Sequence, residues 1–355
     1  MTRCVLFAEV PDFYAAIEVA QDPNLAGRAL IVGGDPRKRG LVQAASAEAR
    51  ATGVEVEMPM LEALALCPQA RVVRTDMALY RDYSRRLVAC LRRGLPRLET
   101  FRLGGAFFEL ASGVEKPEVV AERLRRAVAE ELGLPLRVGI ASGKFLARLA
   151  AEESGPAGLR SVAGGEAARF LEPLPARRLE GVGRKTAAAL EELGASTIGD
   201  VVALGRARLE EAFGNHGLRI YTLACALDDA PVRATRHPQS LSREVTVRGE
   251  ALDRGVLEEH VQDLARHLEA ELARQGLAAA GVTLKVRYGD GGRHSRSRAL
   301  GAPVSVAADV QHAALGLLER TQAGSREVRS LGIQLNRLAP AGEADRQLVL
   351  FPAGS

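Results

Sequence analysis

Gly181-Val182-Gly183-Arg184-Lys185-Thr186-Ala187 is the stretch on which the reading of this chain turns. Two glycines one residue apart let a backbone approach another molecule closely, and the free N–H groups of a following helix point at an anion. Lys185 adds a point charge. The pattern suits a helix–hairpin–helix that grips a DNA phosphate without reading sequence. A plain glycine-punctuated helix start reads equally well. A second glycine turn, Gly214-Asn215-His216-Gly217, lies in the same run of short helices, residues 170–230.

On its N-terminal side, apolar runs predict strands at Cys4–Ala8, Ala29–Val32, Val42–Ala45, Ala106–Leu110 and Leu136–Ile140. Between them, helical spacing predicts helices at Phe13–Val19, Met60–Leu66, Ala78–Leu91, Pro117–Leu132 and Lys144–Glu153. This is an α/β or α+β unit of about 165 residues. On the C-terminal side, from about residue 236, the order is strand, helix, strand, strand, helix, strand. Val282, Leu284, Val286 and Tyr288 share one strand face, and Thr283, Lys285 and Arg287 the other. His294, Arg296 and Arg298 share one face of the next strand. The expectation is a sheet that is apolar inside and basic outside, suited to phosphate contact or simply solvated. Residues 341–355 read as a polar tail with an apolar island, Gln347-Leu348-Val349-Leu350-Phe351. Such an island docks as an extended peptide or packs as a terminal strand on its own domain.

Composition bounds these readings. The chain has 355 residues, 47% hydrophobic and 26% charged, which implies two or three globular domains. The net charge is only +4, yet between Thr283 and Ala299 five basic residues face Asp290 alone, a local excess as large as the whole. Absence of Trp argues against a stacking platform for single strands. Cys4, Cys67, Cys90 and Cys225 form no CxxC and read as buried thiols in a reducing cytoplasm. All six histidines lie at or beyond His216, which leaves the N-terminal half none for a metal or a triad. No uncharged run reaches 18 residues and no leader pattern opens the chain, so a cytoplasmic protein without membrane partners is expected.

Taken together, the motifs resemble Y-family (translesion) DNA polymerases over nearly the whole chain. Phe13-Tyr14-Ala15-Ala16-Ile17-Glu18 is similar to the stretch after the family's first catalytic Asp. Ala45-Ser46-Ala47-Glu48-Ala49-Arg50 resembles its fingers motif, and Val138-Gly139-Ile140-Ala141-Ser142-Gly143-Lys144 its palm motif. Gly181–Thr186 and Thr197-Ile198-Gly199-Asp200 resemble its thumb, and Ser240–Glu244 and Leu331–Leu338 its little finger. The resemblance implies an α+β multidomain, right-hand architecture. Its parts are a palm (1–10 and 75–165), fingers (11–74), a helix–hairpin–helix thumb (166–232), a little finger (233–340) and a tail (341–355) with a clamp-binding peptide at Gln347–Phe351. With the glycine turn and the basic strand face read above, the DNA-contact candidates are Gly181, Gly183, Lys185, Arg243, Lys285, Arg287, Arg296 and Arg298.

The departures fall on the chemistry. The family's first Asp falls on Glu9, and its metal-binding Asp-Glu pair falls on Gly104-Gly105. The fingers Thr and Tyr that hold a triphosphate fall on Ala44 and Ala47, and a triphosphate Lys falls on Gly155, whereas Tyr14 and Arg50 remain as nucleotide-binding remnants. Two-metal phosphoryl transfer requires clustered carboxylates. Glu9, Asp12 and Glu109 are the candidate remnants, but Glu109 stands about 13 Å along the strand from Gly105 at roughly 3.3 Å per residue. The pattern resembles the catalytically degenerate ImuB-like branch. That implies a non-catalytic adaptor of SOS, damage-induced mutagenesis, with no catalytic residue and no cofactor. Its implied partners are DNA, the β sliding clamp, a RecA-related ImuA-like protein and an error-prone polymerase. The alternative is an active lesion-bypass polymerase that uses Mg²⁺ in a non-standard site.

Overall fold

Cys4–Glu9 (β1) is flanked by a strand on each side and buries alternate residues against different layers. Leu6 and Ala8 face one core, Val5 and Phe7 another, which is why this run is continuously apolar. The computed structural model describes residues 3–38, 40–95, 97–110, 115–233, 239–247 and 252–341. After β1 come α1 (Phe13–Gln21), β2 (Leu30–Gly33), β3 (Val42–Ala45), α2 (Ala47–Arg50), α3 (Met60–Leu66), β4 (Arg71–Arg74) and α4 (Met77–Gly94). Next are β5 (Leu98–Phe101), β6 (Gly105–Leu110), α5 (Pro117–Leu132), β7 (Arg137–Ala141), α6 (Lys144–Glu152) and β8 (Leu159–Ser161). Four helical segments follow: α7 (Ala167–Leu171), α8 (Arg184–Glu192), α9 (Ile198–Phe213, broken at Gly205) and α10 (Asn215–Ala224).

The main sheet of this unit has the order β5-β6-β1-β7-β8, with β1 antiparallel to both neighbours. Tyr80, Leu87 and Leu91 of α4 and Leu124 and Val128 of α5 cover one face, and Phe145 and Leu149 of α6 the other. A second sheet, β3-β2-β4, shares Leu30, Val32 and Ala44 with the main core and keeps a small core of its own around Ile31, Val42 and Met60. Residues 11–74, expected as a separate domain, are thus packed into the core of their neighbours through α1 and β2. Two predicted helices, α3 and α5, have the expected bounds; the short strands β4, β5 and β8 are additions. They carry too few apolar residues to show a period.

The chain divides between Thr235 and Arg236. Just before the division, the Arg233 amide donates to Glu99 of the first unit at 2.8 Å. The second unit runs β9 (Ser240–Thr246), α11 (Arg254–Gln275), β10 (Leu277–Tyr288), β11 (Arg293–Val304), α12 (Ala307–Leu318) and β12 (Val328–Pro340), the expected order. Its antiparallel sheet is ordered β11-β10-β12-β9, and α11 and α12 cover the face that carries Val282, Leu284, Val286 and Tyr288.

Register corrects the expected basic face. Directly paired residues share a face. Lys285 pairs with Ser295 and Arg287 with Arg293, but Leu284 pairs with Arg296 and Val282 with Arg298. Arg296 and Arg298 therefore belong to the helix side, where Arg296 Nε donates to the Arg320 carbonyl at 3.3 Å. Arg243, paired with Ile333, lies on that side too. Cys67 and Cys90 are buried as expected, whereas Cys4 and Cys225 are half-buried. Among the described residues no helix is long and apolar enough to cross a membrane.

Candidate functional site

Three strand ends build the palm site. β1 ends at Glu9, β6 begins at Gly105 and β7 begins at Arg137, and Glu9 is paired in register with both. Opposite side chains in an antiparallel pair stand roughly 5 Å apart at Cβ, so register alone puts a guanidinium beside the Glu9 carboxylate. Arg137 Nη2 donates to Glu9 Oε2 at 2.6 Å and Nε to the same oxygen at 3.2 Å. The two side chains are only 19% and 16% exposed. On the other flank Gly105 offers no side chain.

Gly104 is enclosed differently. A Cβ built there would stand 2.9 Å from ring carbons of Phe13, which packs over that position. The loop is held by Val10 N–H donating to the Gly104 carbonyl at 2.8 Å. Asp12, at a left-handed φ of 49°, forms an ion pair with Arg50 of α2. Tyr14 stacks on Tyr80, with ring centroids 4.3 Å apart. Burial, then a hydrogen bond to Glu18 Oε1 at 2.6 Å, pushes the Tyr80 phenol well above its usual range.

Glu9, Asp12, Tyr14, Ala44, Arg102 and Arg137 line a cavity of about 310 Å³. Glu109 is not among them. It lies opposite Val5 at the far end of β6 and pairs with Arg3 Nε at 3.0 Å. So the structure brings together two of the three candidate acids, each neutralised by an arginine. Hard divalent cations need several free oxygen ligands, and among the described residues no group of three or more acids, histidines or cysteines could hold one. With both acids paired, Gly105 bare and Gly104 under a phenyl ring, these residues do not fit a two-metal centre. Arg137 was not singled out from the sequence; its only signal is a charge at the start of an otherwise apolar strand.

Two basic surfaces lie elsewhere. α8 opens at Gly183 with no side-chain cap, and Lys185 is exposed in its first turn. Gly181, at φ 94°, lies against the His216 ring, 2.8 Å from where a Cβ would be, so the two glycine turns meet. In the second unit, Lys285, Arg287 and Arg293 line a groove of about 340 Å³ with Glu244 and Ser330. The clamp-peptide candidates Gln347–Phe351 lie outside the described residues.

A further charged pair escaped sequence reading. Lys144 Nζ donates to Glu99 Oε2 at 2.7 Å, and both are largely buried. The same carboxylate takes the Arg233 amide, while Asp228 takes the Phe145 amide at 2.9 Å. This fastens the segment after α10 to the main sheet.

An α+β fold, with a cavity at strand ends and short helices whose glycine turns meet, defines a polymerase-like class of protein. Comparison with known proteins supports this class. The model of the impB/mucB/samB family matches residues 9–152, and that of its C-terminal domain residues 238–350. The proteins called DNA polymerase IV of Alkalilimnicola ehrlichii and Halorhodospira halophila are each 34% identical to this chain. These matches cover 98% and 99% of the chain and 99% of each relative. A Dbh–Dpo4 Y-family polymerase chimera superposes with TM-score 0.79 at 24% identity, over 94% of this chain and 98% of its own. DinB from Sulfolobus solfataricus does so at 0.71 and 23%, with the same coverage. The chain belongs to the impB/mucB/samB family, the Y-family of translesion DNA polymerases.

Proposed function

We propose that this family member binds DNA during translesion synthesis without itself carrying out two-metal phosphoryl transfer, in the manner of the ImuB-like branch. The single observation behind this reading is the Glu9–Arg137 pair beside Gly104-Gly105. An ionised acid already satisfied by a guanidinium, with no second carboxylate beside it, offers no cradle for the charge that develops at a transferring phosphate. DNA would be held by Gly181, Gly183 and Lys185 and by the open sheet face of Lys285, Arg287 and Arg293. The adaptor role adds the sliding clamp through Gln347–Phe351, an ImuA-like protein and an active error-prone polymerase.

A second reading is favoured by the names of the relatives. Those quoted are called DNA polymerase IV and match almost end to end, which fits an active lesion-bypass polymerase better than an adaptor. Primer extension on an undamaged and a lesion-bearing template, with Mg²⁺ and with Mn²⁺, separates the two. The non-catalytic reading expects no template-dependent incorporation; incorporation abolished by Glu9→Ala would establish the polymerase instead. Deletion of residues 347–351 should end co-elution with the clamp.

A further inference from the structure

We propose that Arg137 is a built-in counter-ion that stands in for a divalent cation at Glu9 and makes the palm cavity independent of divalent metal. The inference takes its meaning from the non-catalytic reading above and rests on it, but it is measured apart from activity. Glu9 sits at the centre of three strands, with a guanidinium on one flank and a bare glycine on the other. The bonds at 2.6 and 3.2 Å hold the arginine through two nitrogens on one oxygen. Both side chains are more than four-fifths covered, so the charge on Glu9 is met by protein rather than by water. A cation approaching Glu9 must displace the guanidinium and then sit beside it, where like charges repel. The cavity's other acid, Asp12, has its own arginine, Arg50. Arg102, which also lines the cavity, has its guanidinium over the Phe101 ring at 5.3 Å. The cavity thus presents fixed organic cations where the family fold presents acids.

The test compares the full-length wild type, Glu9→Gln, Arg137→Gln and the double variant in EDTA, Mg²⁺ and Mn²⁺. Thermal unfolding and Mn²⁺ electron paramagnetic resonance are read in parallel. The wild-type midpoint should be the same in all three buffers, and Glu9→Gln should not change the amount of bound Mn²⁺. Arg137→Gln should melt lower in EDTA, regain part of the loss in Mn²⁺ and bind one additional Mn²⁺ per chain. The double variant should lose both responses. Glu9-dependent Mn²⁺ binding by the wild type would overturn the proposal, and so would an Arg137→Gln variant that folds but gains no cation response. If Arg137→Gln does not fold, the resonance comparison of wild type with Glu9→Gln still decides. Primer extension by the wild type without Glu9-dependent Mn²⁺ binding would sink the non-catalytic reading alone. Glu9-dependent Mn²⁺ binding without extension would sink the counter-ion alone.

Discussion

At residue scale, the palm is decided by what stands next to Glu9 and Gly104. Restoring an acid is not a matter of one substitution, because Phe13 fills the space over Gly104. Gly104→Asp should cost about 1–3 kcal/mol by overpacking, read as a lowered midpoint in thermal unfolding. The cost should shrink in a Phe13→Ala background, since the two residues touch and their effects couple. Equal costs in both backgrounds would show that the ring moves aside freely. The glycine pair is legible in the sequence, and so is the distance of Glu109 from it. Arg137 was not legible, because its partner is 128 positions away and only strand register joins them.

At element scale, the antiparallel pairing of β10 with β11 divides a basic run that looked uniform. Alternation shows which residues of one strand share a face, but not which face of one strand meets which face of the next. Each phosphate contact contributes about 0.9 to the slope of log K against log salt. Lys285→Ala with Arg287→Ala should therefore lower the slope of DNA binding by about two, equally for different sequences. Arg296→Ala with Arg298→Ala should lower it by less than one. Equal losses would mean that DNA contacts the helix side as well. A second element-scale prediction concerns the tether between α10 and the main sheet. Lys144→Met removes the ammonium from Glu99, which keeps the Arg233 amide, and should cost roughly 1–3 kcal/mol. Lys144→Met with Glu99→Gln should recover much of that stability, as measured by denaturant unfolding.

At the scale of the whole molecule, the second unit has a core of its own. Leu257, Leu268, Val282, Ile333 and their neighbours form a cluster made only of second-unit residues. A fragment of residues 236–355 should therefore unfold cooperatively by circular dichroism and retain salt-dependent DNA binding. A non-cooperative melt would show that this unit depends on the first. The sequence by itself determined the element order of the second unit, the family, and the bare glycine pair at 104 and 105, because these follow from local periodicity and motif order. It also placed the thumb turns, whose glycine geometry is local. Only the tertiary structure decided which charges neutralise one another and which share a face. Those depend on register between strands distant in sequence, and a one-residue change in register moves every side chain to the opposite face.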